Sequence, residues 1–259
     1  MRQQIIAVLR RLNLLPVFEH MRYWRQSQKS KADNAAFRAE NPFFLPPPLW
    51  CMHDMYGHTS YRHYTTSGKQ HADTINDHIN AHADGACISI TEWGCGLARI
   101  LQHFPETMIR TGTDYNAEAI AWVNETFPNL TAIKNEMMPP WKISMVSQDV
   151  IYAISIFTHL GEDTQNSWVK QIARSLKPGG LFIFTVHGAP RIGQLLASEQ
   201  AIFDSGKPVY RTKVKEGSRL FVSYHPDSAI RKIFASDFDY VDGPLEQIGQ
   251  TLWVMRKKA

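Results

Sequence analysis

The chain is predicted to adopt an α/β fold, a doubly wound and mostly parallel sheet preceded by an N-terminal helical extension. Three observations carry this. Apolar strand-like runs alternate with amphipathic helical runs from about residue 87 to 187, the pattern of consecutive βαβ units. The run from Asp149 to Ser155 is almost unbroken in apolar residues, as a central parallel strand covered on both faces must be. A turn carrying Gly94 and Gly96 links the first strand-like run to a helical pattern, as in a ligand-binding βα junction.

The 259 residues suffice for a sizeable core. Hydrophobic content of 44% and charged content of 20% are those of an ordinary globular protein. The formal charge of +4 is too small to argue for a nucleic-acid partner, and the basic tail Arg256-Lys257-Lys258 reads as a solvated end. Three cysteines (Cys51, Cys87, Cys95) lack metal-ligand spacing and fit a reducing, cytoplasmic compartment. No run approaches a membrane span and no signal peptide is visible.

Two segments are expected: an extension covering residues 1–84, which also covers the cofactor, and a catalytic domain over 85–259 with an insertion at about 189–224. The first 40 residues read as helical and basic, with Pro16 interrupting, and with Met21, Tyr23 and Trp24 beside Arg22 and Arg25. Such a helix packs on its own domain or a second subunit, or lies peripherally on a membrane; packing is the expectation, and oligomeric state stays open. Asn41 to Trp50 holds four prolines and reads as an extended connector. Tyr56, His58, Tyr61, His63 and Tyr64 read as irregular structure that either lines a pocket or packs with wet hydroxyls. A helix is expected from about Lys69 to Ala83. Its His71, His78 and His82 share a face read as exposed and polar; no acid or cysteine completes a site there, so no metal is expected.

Beyond the glycine turn, Leu97, Ile100, Leu101 and Phe104 mark one helical face, and a second strand, Met108 to Thr113, ends at Asp114. Helix 116–127, strand 130–133, helix 163–176, the stop Lys177-Pro178-Gly179-Gly180 and strand 181–187 follow. A hairpin within Val209 to Tyr224, a helix from Asp227 to Phe234 and two last strands, 240–248 and 251–256, complete the pattern.

In an open α/β sheet, ligands lie beyond the carboxyl ends of the strands, where Glu92 and Asp114 point. Asp114 follows Gly94 by twenty positions, and a carboxylate there takes both hydroxyls of a ribose. A dinucleotide fingerprint needs a small residue where Arg99 stands, and an acid at Glu92 is ill placed beside a pyrophosphate. Glu92 instead suits a cationic amino group. S-adenosyl-L-methionine carries one, with an adenosine and no phosphate.

The segments Glu92-Trp93-Gly94-Cys95-Gly96, Gly112 to Asn116, Asp149 to Leu160 and Ser175 to Gly188, in this order, resemble the class I, Rossmann-like S-adenosylmethionine-dependent methyltransferases over about residues 85–190. Ala98 replaces the third glycine of the family motif. The resemblance implies a seven-stranded sheet whose last two strands form an antiparallel edge hairpin. It implies that Glu92, Gly94, Cys95 and Gly96 hold the methionine part, with Tyr64 or Gly68 closing over it. By the same resemblance Asp114 takes the ribose, Tyr115 lies on the adenine, and Asn135 with Glu136 meets its edge. Ser155 and Phe157 then wall the reacting methyl group.

The implied activity is methyl transfer to a small-molecule or glycan acceptor at oxygen, in glycan or natural-product modification. A hydroxyl acceptor must lose a proton, and His159, His187 and His225, in that order, are the candidate bases. The rival readings are an NAD(P)-dependent oxidoreductase and a catalytically inactive scaffold with the methyltransferase fold.

Overall fold

The computed structural model describes residues 15–212 and 214–259. The expected helix within residues 1–14 lies outside them. Helix α1 (Leu15–Glu40), helix α2 (Leu49–Tyr56) and helix α3 (Tyr61–His82) form the extension. Residues 41–48 are the irregular connector, and Pro48 caps α2 where a proline's missing N–H costs no helical bond. The extension packs on the domain, with Met52, Tyr61 and Tyr64 clustered against Leu97 and Ala119, and α1 is tied to the start of α3. Asn34 receives the N–H of Tyr61 on its side-chain oxygen at 2.9 Å and donates to the Thr59 carbonyl at 2.8 Å. The outer face of α1 leaves Val17, Met21 and Trp24 exposed.

Seven strands form one sheet in the order β3-β2-β1-β4-β5-β9-β8. These are β1 (Ser89–Trp93), β2 (Ile109–Asp114), β3 (Thr131–Lys134), β4 (Gln148–Ala153), β5 (Leu176–Val186), β8 (Phe238–Gln247) and β9 (Gln250–Lys257). The five strands β1 to β5 run parallel to one another, and β9 is antiparallel to both its neighbours. The expected mostly parallel sheet and antiparallel edge hairpin are therefore present. The insertion contributes helix α6 (Ala197–Asp204) and a separate two-stranded sheet, β6 (Val209–Arg211) with β7 (Val222–Tyr224).

Each sheet face buries its own core. On one face Ile151, Phe182, Phe184 and Trp253 pack with Trp168 and Ile172 of helix α5 (Glu162–Ser175) and Phe234 of helix α7 (Asp227–Phe234). On the other, Ile90, Val150, Ile183 and Val254 pack with Ile75 and Ile79 of α3 and with Ile120 and Val123 of helix α4 (Ala117–Thr126). Side chains on successive strand residues point to opposite faces, so central strands must be apolar throughout.

Two expectations need correction. The residues after the glycine turn make turns and a short 3-10 helix at Leu101–His103 rather than an α-helix, because Ala98 sits at φ 53° and breaks the right-handed run. Leu97, Ile100, Leu101 and Phe104 are nonetheless buried together. Helix α3 starts at Tyr61, not Lys69, with the Ser60 hydroxyl accepting the His63 N–H at 3.2 Å. Gly68 lies inside it; a Cβ there would stand 2.1 Å from the Arg99 carbonyl oxygen, so the glycine lets helix and turn touch.

Candidate active site

The cleft lies at the carboxyl ends of β1, β2 and β4. A cavity of about 390 Å³ opens beside the glycine turn, within the about 300–1,000 Å³ common for small-ligand sites. It continues into a smaller, mostly apolar recess of about 60 Å³. The two share Gly94, Asp114, Tyr115, Ile156, His159 and Gly217.

The turn is held from below. Gly94 and Cys95 both donate their N–H to the Thr113 carbonyl, at 2.7 and 2.9 Å. Gly94 and Gly96 adopt φ of 77° and 52°, which glycine takes without a Cβ penalty. Asp114 Oδ2 accepts the Gly96 N–H at 2.9 Å and Oδ1 the Asn116 N–H at 2.8 Å. Burial nevertheless pushes the Asp114 carboxyl above its ordinary value, its backbone bonds only partly offsetting that.

At the methionine end of the expected ligand, burial raises Glu92 to about 8, only partly offset by the Leu101 N–H that its carboxylate accepts at 3.2 Å. Arg99 stands nearby, donating to Ser67 Oγ at 3.1 Å, meeting His71 Nδ1 at 3.1 Å and lying 5.1 Å over the Tyr56 ring. Burial lowers His58 and His71 to about 4, leaving Arg99 as the charge of that wall. A buried carboxyl beside a guanidinium can receive an ammonium and a carboxylate on neighbouring atoms of one ligand.

The recess has the opposite character. Trp93, Met137, Leu160 and Trp168 line it, with Tyr115 and Gly217 at its mouth. Asn135 donates to the Glu136 carbonyl at 2.7 Å, yet its side-chain oxygen is buried without a partner. An acceptor orphaned in an apolar slot is costly unless a ligand donor reaches it, and the exocyclic amine of an adenine is such a donor. The donor set thus fits an adenosyl amino acid.

The structure brings together Glu92, Gly94, Cys95, Gly96, Asp114, Tyr115 and Ser155 on the main cavity, and Asn135 with Glu136 on the recess. Tyr64 and Gly68 stand behind the turn rather than over the ligand: Tyr64 donates to the Leu97 carbonyl at 2.7 Å, and Gly68 abuts Arg99. Phe157 is fully buried in the aromatic core and does not wall the cleft. Among the three candidate bases, His159 lines both cavities. His187 and His225 line neither; burial lowers each to about 3, and His225 bonds Gln165 Oε1 at 3.0 Å through Nε2.

Tyr56, His58 and His63 do reach the cleft, as one of the two readings of that stretch has it. Arg99, Arg219 and Gln250 also line the cleft, beyond the residues the sequence points to. Arg99 carries a signal in hindsight, a long cation following a glycine turn. Arg219 belongs to the insertion, whose loop caps the recess: the Tyr115 hydroxyl donates to the Gly217 carbonyl at 3.2 Å, and the Gly217 N–H to the His159 carbonyl at 2.8 Å. Gln250, at the β8–β9 turn, donates to Ser155 Oγ.

Residues 90–180 match the family model described as a methyltransferase domain. The fold is shared with the amino pentose methyltransferase CalS10 of Micromonospora echinaspora, a calicheamicin-biosynthesis protein whose structure holds S-adenosylmethionine; TM-score 0.56, identity 17%, covering 76% of this chain and 94% of that one. It is also shared with the glycopeptide N-methyltransferase MtfA in complex with S-adenosylmethionine (0.53, 11%, 74% and 93%). A methyltransferase from Methanosarcina mazei matches likewise (0.53, 14%, 70% and 97%). No curated protein sequence matches the chain. Residues 90–180 are thus similar to a methyltransferase domain, and the seven-stranded sheet around them has the fold of these structures.

Proposed function

We propose that the protein transfers a methyl group from S-adenosyl-L-methionine to a hydroxyl of a small-molecule or glycan acceptor. The observation that carries this is the two-part cleft: buried Glu92 beside half-buried Arg99 at one end, Asp114 at the centre, and the unpartnered Asn135 oxygen at the other. When bound, the cofactor supplies a methyl carbon already activated by its sulfonium.

The chain's residues would orient and deprotonate. Glu92 meets the ammonium, Arg99 the carboxylate, Asp114 the ribose hydroxyls, and Asn135 the adenine amine. His159 contacts the Phe221 carbonyl through Nδ1 at 2.7 Å, a bond that requires the proton on Nδ1 and leaves the Nε2 lone pair free. Burial lowers its basicity and keeps the ring neutral near pH 7. The bound cofactor would supply the activated methyl group to the acceptor oxygen, and His159 Nε2 would take the hydroxyl proton that the acceptor must lose. Holding oxygen and methyl in line supplies much of the rate.

The relatives that act on an amino pentose and a glycopeptide support a glycan or natural-product acceptor. Buried Glu92 opposes the nicotinamide reading, since a pyrophosphate at that turn would face a carboxyl. The exposed Val17, Met21 and Trp24, spaced on one face of α1 beside Arg22 and Arg25, support peripheral membrane contact. Among the described residues no helix is long and apolar enough to cross a membrane. The free thiols Cys51, Cys87 and Cys95 fit the cytoplasm.

The test is calorimetry with S-adenosylmethionine and with NADH, followed by mass spectrometry of a cell extract incubated with the protein and a deuterated-methyl donor. A labelled product supports the reading. Binding of NADH alone would overturn it, and cofactor binding without any labelled product would favour the inactive scaffold.

A further inference from the structure

A second constellation lies away from the cleft, where α3 meets the edge hairpin. His78 and His82, four residues apart on α3, stack their rings with centroids 6.0 Å apart and planes within 13°. The expected exposed polar face is not what forms: His78 is buried and packs against β8. The acid that completes the group is not one of the helix's own but comes from 160 positions beyond His82. Asp242 Oδ2 lies 3.3 Å from His82 Nε2 and 3.9 Å from His78 Nδ1.

The strand is built to deliver that acid. Tyr240 pairs with Met255 and Asp242 with Val254, so the register slips by one between them. Met255 belongs to the core on the α5 side and Val254 to the core on the α3 side. Directly paired residues share a sheet face, so the slip turns Asp242 toward α3, a common effect of a bulge.

The roles of the remaining atoms are set too. Gln247 Oε1 meets His78 Nε2 at 2.8 Å. A side-chain carbonyl can only accept, so the ring proton sits on Nε2 and the Nδ1 lone pair faces Asp242. Asp242 Oδ1 accepts the Gly243 N–H at 2.7 Å, leaving Oδ2 for a second partner. An imidazole lone pair and a carboxylate oxygen thus converge, with a second imidazole beside them. One donor atom from each of the three lies within 4.8 Å of the others. Tetrahedral zinc ligands stand about 3.4 Å apart, from bonds of about 2.1 Å, so small side-chain rotations close the set. His82 and Asp242 are partly open to solvent, which gives an ion access and leaves a position for water.

We propose that His78, His82 and Asp242 bind a divalent transition-metal ion of the zinc class, with Gln247 orienting His78 from behind. Two imidazoles and one carboxylate suit zinc or cobalt, whereas calcium and magnesium require mostly oxygen ligands. The ion would cross-link α3 to β8. Those elements also carry cleft residues: Ser67 and His71 on α3, Ile248 and Gln250 at the hairpin turn. A bound ion would therefore hold two cleft walls at a fixed spacing, independently of what the cleft binds.

The full chain, stripped with chelator and desalted, is titrated with zinc chloride by calorimetry, and with cobalt chloride by visible absorption. One zinc-binding event is expected that Asp242→Asn or His82→Ala abolishes or weakens at least tenfold, together with a tetrahedral cobalt spectrum. Gln247→Ala should weaken it about tenfold, as loss of a ligand-orienting partner does. Zinc should raise the melting temperature of the wild type but not of Asp242→Asn, whose folding is checked by circular dichroism. Unchanged stoichiometry and affinity in Asp242→Asn and His82→Ala would overturn the site, as would no binding by the wild type. Neither outcome bears on methyl transfer, because none of the substituted residues lines the cleft.

Discussion

Asp114 accepts the Gly96 N–H through Oδ2 at 2.9 Å, tying the end of β2 to the glycine turn across the floor of the cleft. One side chain therefore shapes the turn and, in the function proposed above, would present its oxygens to the ribose. Asp114→Ala is expected to lower affinity for S-adenosylmethionine at least 100-fold by calorimetry. Leaving the Gly96 and Asn116 amides without partners should also cost about 1–3 kcal/mol of stability in denaturant melts. Unchanged affinity would remove Asp114 from the site.

Glu92 makes cofactor binding pH-dependent. Folding raises its carboxyl from the ordinary 4.5 to about 8. Between those values the folded chain holds a proton that the unfolded chain has released, so stability falls as pH rises through that window. A cationic ligand pairs with the ionised form, so affinity should climb from about pH 6 to about pH 8. Glu92→Gln should flatten both trends, as read by calorimetry and melting temperature.

His159→Ala is expected to lower kcat by about 10²–10⁴-fold, with cofactor affinity nearly unchanged. Because burial places the ring below the ordinary histidine value, activity should persist below about pH 6.5 before its acid limb begins. A variant as active as the wild type would exclude His159 as the base.

Gly217 is the pivot of the cap. Its φ is 82°, and a Cβ there would stand 2.1 Å from Met137 Cε. Gly217→Val should lift the loop from Tyr115 and raise the KM for cofactor several-fold, with the melting temperature little changed.

Gly68→Ala tests the packing of α3 on the turn. The added methyl meets backbone rather than a flexible side chain, so a loss of about 1–3 kcal/mol is expected in denaturant titration.

What could be read in advance follows from how far apart the determinants lie. Glu92, Gly94, Gly96 and Asp114 sit on two adjacent strands and the turn between them, and their spacing alone points to a nucleoside ligand. The start of α3 is not legible in the sequence because Gly68 reads as a breaker, whereas it admits the Arg99 carbonyl, a long-range contact. Ala98 hides its left-handed backbone, since nothing about alanine announces a positive φ. His187 and His225 end at the right places in sequence, but their side chains lie behind the cleft, a distinction only packing makes. Asp242 could not be joined to His78 and His82 without knowing that β8 lies at the sheet edge over α3.

Arg219 of the insertion donates to Glu19 of α1 and to the Asp54 carbonyl just ahead of the cleft. The first helix and the segment around Arg219 are thereby buckled to each other beside the main cavity. Neither can be exchanged alone. A chimera that borrows its insertion from a related enzyme to change acceptor choice must borrow the matching first helix as well, or the roof it builds will have one wall.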